Sequence, residues 1–330
     1  MDIKQIAEKA GVSIATVSRA INQPHLVRPS TREKVLKIVR EMNYAPNPIA
    51  QGLLTGRTNT IALVVPTLRN PYFGQLAEGA ESVLAGNGYN LTISSSYESI
   101  SRQESIIENI LKRRVDGLIL AGSGAFQEGY EKALNKIKIP IAAIEYIPGQ
   151  DTFNCIYVDD ITGVRMAIEH LIHQGHKRIG VIPGNPKMLV TIRRLKAIKN
   201  ILAEYDLELD KKLICHGSYD SLESGRLAMT EILAAEKVPT AVFAFNDIMA
   251  IGAMKCAQDR GLKIPEDVAI VGFDDIPMSE YTTPGLTTLR APNFQIGKTA
   301  ATILLEQINN PTAPIRKVLL PVELVLRGSC

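Results

Sequence analysis

Ile14-Ala15-Thr16-Val17-Ser18-Arg19-Ala20-Ile21-Asn22, behind the turn Gly11-Val12-Ser13, is the stretch that decides how this chain is read. Ser13 suits a helix N-cap, because its hydroxyl can accept an otherwise orphaned backbone N–H, so a short helix is predicted to start there. Val17, Ala20 and Ile21 fall at i, i+3 and i+4 and form one apolar face. Ile14, Ala15, Ser18, Arg19 and Asn22 fall mainly on the other face, which is left to touch a partner.

The preceding helix is predicted to begin at Asp2, with Gln5 completing a capping box and Ile3, Ile6, Ala7 and Ala10 as its buried stripe. Gly11 permits the sharp turn between the two. A third helix is expected from Ser30, with Glu33 at the reciprocal capping position, through Val35, Ile38, Val39 and Met42 until Tyr44-Ala45-Pro46 stops it. Two helices joined by a tight glycine turn have the form of a helix-turn-helix, whose second helix enters the major groove of DNA. A three-helix cap or dimerisation module would share that pattern, but charge argues against it. Residues 1–57 carry nine Lys or Arg against four acids, a net of +5, so the chain's total of +3 leaves the remainder at −2. A basic head on a weakly acidic body is the layout of a nucleic-acid reader.

Ile6-Ala7 with Ala10-Gly11-Val12-Ser13, then Ala15 to Arg19, then Thr31-Arg32-Glu33-Lys34-Val35, then Asn43-Tyr44 with Pro46-Asn47, together resemble the head of the lactose repressor and galactose repressor family of bacterial regulators. The resemblance is close over the first 57 residues and looser beyond. It implies a head at 1–46 that binds operator DNA. Arg19 would be the main base reader, its fork taking guanine O6 and N7, with Ser18 and Asn22 assisting and Ile14 and Ala15 setting preference. Ser13, Thr16 and Thr31 would hold phosphates. Residues 47–57 look like the family's hinge, which orders on DNA; Leu53 matches the residue pressed into the minor groove, with Asn47 and Ala50 assigned to the same DNA-contacting segment. Pro48 suits a first helical position, whereas Gly52 lowers helix propensity by about 1 kcal/mol and departs from the expected pattern. A plain flexible linker is the alternative.

At 330 residues, with 45% hydrophobic and 22% charged residues, the chain is ordinary for a globular protein of two or three units. No stretch approaches the roughly 18 apolar residues of a membrane span, and the first residues read as a capped amphipathic helix rather than a signal peptide, so a cytoplasmic protein is expected. Cys155, Cys215, Cys256 and Cys330 form no C-x-x-C pair, which suggests neither a zinc site nor a disulfide framework.

From Asn59 short apolar runs alternate with amphipathic stretches: Ile61 to Val65, Phe73 to Leu84, Tyr89 to Ile93, Gln103 to Leu111, Leu118 to Ala121, Tyr130 to Ile137 and Ile141 to Ile144. A second round follows with Arg178 to Ile182, Leu195 to Tyr205, Leu213 to His216, Ser224 to Ala235, Ala241 to Phe243, Ile248 to Arg260 and Val268 to Val271. Such alternation implies right-handed crossovers and parallel sheets covered on both faces. The predicted fold class is therefore α/β: a helix-turn-helix head, a hinge, and a two-lobed body at 58–330 resembling the periplasmic sugar-binding fold. Lobe 1 is expected at about 58–158 and 290–317, and lobe 2 at about 159–289 and 318–330. Thr287 to Arg290 is read as crossing back, Phe294 to Ile308 as a helix, and Val318 to Leu326 as closing the chain.

In open α/β sheets a ligand lies beyond the carboxyl ends of the strands. Just past the strands of the first lobe come Asn70, Tyr72 and Phe73, then Ser95-Ser96, Ser123 and Glu145. The second lobe offers Tyr219, Asn246-Asp247 and Phe273-Asp274, with Arg193-Arg194 opening a helix near the cleft. Carboxylates, an amide and a guanidinium fork can satisfy several hydroxyls while aromatic rings cover a sugar's apolar face. Each polar residue could equally be a helix cap, Asn246 and Asp247 above all. Matched to the family, Phe73, Arg194, Asn246 and Asp274 are favoured.

Other motifs fail. Gly297-Lys298-Thr299 lacks the first glycine of a phosphate loop, with Pro292 in its place, and Gly122-Ser123-Gly124 meets Gln127 where a dinucleotide fingerprint needs its third. His170, His173 and His176 read as a helix C-terminus, since Gly175 falls between the last two. Asp274-Asp275 could pair as acid and base, but neighbours on an extended loop point apart. With no nucleophile and base, metal set or cofactor motif, an enzyme is the weaker reading, and a sugar-processing or transport protein of the same fold would lack the basic head. The expected function is a ligand-responsive repressor of a sugar-utilisation operon, binding a palindromic operator as a homodimer and needing no cofactor. No leucine heptads follow the last strand to make a tetramer.

Overall fold

The computed structural model describes residues 2–44, 57–97, 99–112, 114–122, 134, 137–145 and 152–330. Asn47, Ala50, Leu53 and Ser123, all named above, lie outside them. Packing divides the chain into two compact units, Met1–Thr58 and Asn59–Cys330.

In the first unit α1 (Ile3–Ala10) carries the Asp2–Gln5 capping box and ends at Gly11, whose φ of 64° is left-handed. The second helix, α2 (Ile14–Asn22), starts where Ser13 Oγ accepts from the Thr16 N–H at 3.1 Å. Helix α3 (Pro29–Glu41) departs from expectation: it begins one residue before Ser30, Arg28 takes the cap position, and no side chain caps it. Pro29 at the first helical position supplies a preset φ and has no N–H to orphan, which removes part of the need for a cap. Ile6, Ala7 and Ala10 of α1, Val17 and Ala20 of α2, and Val35 and Ile38 of α3 close one small core, against which Ile21 is partly buried.

The second unit contains two sheets. The first runs in the order β10-β5-β4-β3-β1-β2 and is wholly parallel: β1 (Thr60–Val65), β2 (Asn90–Ser95), β3 (Gly117–Ala121), β4 (Ile141–Ile144), β5 (Asn154–Val158) and β10 (Lys317–Leu320). Period-two alternation along β1 sends Ile61, Leu63 and Val65 to one face and Ala62 and Val64 to the other. Helices α4 (Pro71–Leu84) and α11 (Asn293–Asn309) cover the first face, and α5 (Ile100–Lys112) packs on the second through Ile107 and Ile110. Burying both faces explains why these strands are continuous apolar runs.

The second sheet runs β11-β9-β8-β7-β6, built from β6 (Ile179–Ile182), β7 (Ala241–Ala244), β8 (Ala269–Asp274), β9 (Thr287–Arg290) and β11 (Glu323–Val325). It is parallel except for β11. Its helices are α6 (Asp160–His173), α7 (Leu189–Glu204), α8 (Leu222–Leu233) and α9 (Asp247–Asp259), with the single turn α10 (Met278–Tyr281) between β8 and β9. Phe243, Phe245 and Phe273 are fully or almost fully buried here, each contributing about 1.5–3 kcal/mol over an exposed ring.

Glycine pairs set two helix crossings. A Cβ on Gly297 would lie 1.8 Å from Leu76 O, and one on Gly79 1.9 Å from Phe294 O, so α4 and α11 approach through both. Gly225 and Gly252 do the same for α8 and α9, at 2.1 Å from Met249 O and 1.9 Å from Leu222 O. Gly297 in the discarded Gly-Lys-Thr motif thus has a packing reason.

Three predicted boundaries shift. The run 318–326 is not one element of lobe 2: Val318 to Leu320 pair with β5 in the first sheet, and only Glu323 to Val325 join the second. Arg290, placed in lobe 1 by sequence, ends β9 in the second sheet. Leu213 to His216 is no strand; Lys211–Leu213 is a 3-10 turn and Ile214 makes one isolated bridge to Val181. The described chain passes between lobes after β5, after β9 and after β10.

Candidate functional site

Two surfaces gather the residues that the sequence singled out. On the head, Ser13, Ile14, Ala15 and Arg19 are exposed and Thr16, Ser18 and Thr31 half-buried. The Ser13 and Thr16 hydroxyls lie 2.9 Å apart. Ile14 is 43% exposed, unusual for so large an apolar side chain on a helix whose opposite face is the core.

In the body, a cleft of about 810 Å³, open to solvent, lies between the lobes at the carboxyl ends of the strands. Asn70, Tyr72, Phe73 and Glu145 reach it from the first lobe, and Arg194, Tyr219, Asn246 and Asp274 from the second, so these eight share one cavity, whereas Ser95, Ser96 and Asp247, also offered by the sequence, do not line it. Gly122, which precedes Ser123, lines it too.

Local structure fixes each group. Asn70 caps α4, its Oδ1 accepting from the Tyr72 N–H at 3.0 Å, and turns its Nδ2 toward Asp274 Oδ2 at 3.4 Å. Tyr72 and Phe73 meet edge to face with centroids 4.8 Å apart. Glu145 and Asp274 hold φ values of 95° and 111°, a region costly for residues with a Cβ. Such strain persists where the surroundings over-determine it, and here both residues line the cleft. Asp275 turns away, accepting from Arg290 Nε at 2.6 Å and Arg327 Nη2 at 2.7 Å.

Asn246 caps α9, accepting from the Met249 N–H at 2.9 Å and donating to Tyr219 O at 2.8 Å. Its amide thus serves the fold as well as the cleft. The Tyr219 ring lies against Gly184, where a Cβ would come within 1.9 Å of it, and its hydroxyl is 3.0 Å from Thr191 Oγ1. Arg194 sits in the second turn of α7 rather than opening it. Its Nε donates to Asp160 Oδ2 at 3.1 Å, its Nη1 to Phe245 O at 2.9 Å, and its Cζ lies 3.8 Å from the Phe273 ring centroid.

Burial governs the electrostatics. It opposes the charge of Arg194 more than any single neighbour favours it, but Asp160, Tyr219 and Asp274 together outweigh it and leave the pKa raised. The Tyr219 phenol is pushed up to about 12, by burial first, and Tyr72 is raised by burial, Glu145 and Asp274. Burial, with Asp247 adding to it, holds the Asp274 carboxyl well above the usual range. Asp247, fully buried, is itself pushed up to about 7 by burial, although the Ser279 and Thr288 hydroxyls and the Ile276 N–H oppose the shift. At neutral pH the tyrosines therefore present O–H groups, and the cleft offers donors and acceptors between aromatic walls.

Sequence reasoning missed Asp160, Phe245 and Tyr157, which also line the cleft. A signal existed for the first: the apolar run Cys155 to Val158 followed by Asp159-Asp160 reads as a strand entering a capped helix, with Asp159 Oδ1 accepting from the Thr162 N–H at 3.2 Å.

Among the described residues, no helix is long and apolar enough to cross a membrane. Residues 2–47 match the bacterial regulatory proteins of the lacI family, and residues 168–330 match the periplasmic binding protein-like domain. The ribose operon repressor of Haemophilus influenzae is 36% identical over 99% of this chain and 98% of its own length. The HTH-type transcriptional repressor CytR of Escherichia coli is 34% identical over 99% of this chain and 95% of its own. The structure of the lac repressor dimer bound to operator and the anti-inducer ONPF superposes with a TM-score of 0.89 at 28% identity, over 100% of this chain and 98% of that one. With a helix-turn-helix whose outer face is exposed, a cleft between two α/β lobes, and full-length relatives that are repressors rather than enzymes, the chain belongs to the lacI family of bacterial transcriptional regulators.

Proposed function

We propose that the protein is a cytoplasmic repressor of a sugar-utilisation operon, a homodimer on a palindromic operator, and that a sugar or sugar derivative in the interlobe cleft sets its affinity for DNA. Arg19 is the principal base reader, with Ser18, Asn22, Ile14 and Ala15 beside it, while Ser13, Thr16 and Thr31 hold phosphates. Leu53 of the hinge wedges into the minor groove at a central pyrimidine–purine step, where unstacking is cheapest, with Asn47 and Ala50 alongside. Two half-sites follow from a reader with one recognition helix per chain.

The observation that carries the effector reading is the approach of Asn70 in one lobe to Asp274 in the other across a cleft walled by Tyr72, Phe73 and Tyr219. A ligand touching both lobes favours one relative position of the two by its differential affinity. The name of the ribose operon repressor supports a sugar-like occupant. Coupling is reciprocal: a ligand that loosens operator binding must bind less tightly, by the same factor, when operator is present. A thermal-shift screen of sugars and nucleosides, repeated with operator DNA, tests this. Hits whose shifts are indifferent to operator would sink the coupling.

A further inference from the structure

Arg193 and Arg194 are adjacent on α7 and both line the cleft, yet they are held differently. Arg194 is fixed by Asp160, by the Phe245 carbonyl and by the Phe273 ring. Among the described residues Arg193 makes one bond, from Nη2 to the same Asp160 oxygen at 2.9 Å. Its Nε is buried and has no acceptor among the described residues. A buried N–H without an acceptor carries an uncompensated desolvation cost, so native structures rarely keep one unless a molecule outside the chain completes it.

The charge of the cleft narrows what that molecule is. Two adjacent arginines at a pocket ordinarily suggest an anionic ligand. Here one carboxylate, Asp160, accepts from both guanidinium groups, and Glu145 and Asp274 line the same cavity. Among the described residues, three carboxyl groups thus stand against two cations. Protonation of Asp274, which its burial favours, brings the balance to neutral and no further. A phosphate dianion would find no surplus positive charge there and would face Glu145 and Asp274.

We propose that Arg193 is a specificity-determining residue of this cleft, its Nε–H donating to one hydroxyl oxygen of an uncharged polyhydroxylated ligand, and that the cleft rejects the phosphate ester of that ligand. The proposal rests on the effector reading above. It places the discriminating contact on α7, one residue before the arginine that the fold itself immobilises.

The test is isothermal titration of the full chain with D-ribose, D-glucose, adenosine and cytidine, each beside its monophosphate. A neutral compound is expected to bind, and its monophosphate at least about tenfold more weakly. For the compound that binds, Arg193→Gln is then titrated against its monodeoxy analogues. One analogue should lose nothing further in the variant, so that the preference for hydroxyl over hydrogen at that position collapses. Arg193→Lys, which keeps a cation beside Asp160 but has no Nε–H, should behave alike and guards against misfolding of the glutamine variant. A monophosphate that binds as tightly as the neutral compound overturns the proposal while leaving the effector reading standing. So does an Arg193→Gln protein that loses no affinity, or loses it equally for every analogue, since a residue that merely steadied Asp160 would act that way. Binding of none of the eight compounds overturns the sugar-effector reading itself and the proposal with it.

Discussion

Asn70 Nδ2 stands 3.4 Å from Asp274 Oδ2, joining residues 204 positions apart in sequence across the cleft between the lobes. At that length the contact is weak, and a ligand hydroxyl inserted between the two groups could replace it by two shorter bonds. Asp274→Ala is therefore expected to abolish the effector response while leaving operator affinity without effector nearly unchanged. Fluorescence anisotropy on operator DNA, titrated with the effector found by thermal shift, reads both. A normal dose response in the variant would remove Asp274 from the pocket chemistry.

Arg19→Ala should cost about 1–3 kcal/mol on the cognate operator and relax preference at one base pair, as loss of a forked guanine contact does. Selection of binding sites from a random pool, followed by sequencing, checks it. An unchanged motif would assign base reading to another side chain of α2.

A pH effect follows from Asp247, whose carboxyl is pushed up to about 7 inside the second lobe. Between about 3.9, the ordinary aspartate value, and 7 the folded state holds a proton that the unfolded chain has released. Stability from this group is fully present below that window and is lost as pH rises through it, by an amount on the order of a few kcal/mol. Asp247→Asn should flatten the fall in urea midpoint between about pH 4 and 7 relative to the parent. Parallel curves for parent and variant would show that the carboxyl does not titrate there.

Two glycine variants separate close packing from backbone freedom. Gly297→Ala drives a Cβ to within 1.8 Å of Leu76 O in the α4–α11 crossing and should destabilise by about 2 kcal/mol or more. Gly74→Ala, in the same helix pair but with nothing within 4 Å, should stabilise by about 0.4–1 kcal/mol. Denaturant midpoints of the two should move in opposite directions.

How much of this was legible depended on how local the signal was. Ser13, Gly11 and the Asp2–Gln5 box act within a few residues of themselves, and the first two helices begin where they say. Ser30 and Glu33 carried an equally good local signal, yet Pro29 started α3 one residue earlier. Strand ends predicted the cleft because apolar runs stop where a buried parallel sheet stops. Lobe membership near 290 and 318–326 was not legible, since β10 and β11 lie only three residues apart and their partners, β5 and β9, are named by no feature of their own sequence. Asp160 was missed for a related reason: its importance comes from two arginines more than thirty residues away.

The route of the chain between the lobes also governs the order in which the molecule can be made. Strands β1 to β5 emerge from the ribosome as a block, but the α11 layer that covers them and the β10 edge come only with residues 293–320. Until then Ile61, Leu63, Leu76 and Ile119 face water on the side that α11 will cover. The head, whose core closes within residues 6–38, needs nothing downstream to fold. Nascent chains stalled before residue 293 should thus carry a finished helix-turn-helix and an unfinished body, a state in which chaperone binding falls on the first lobe.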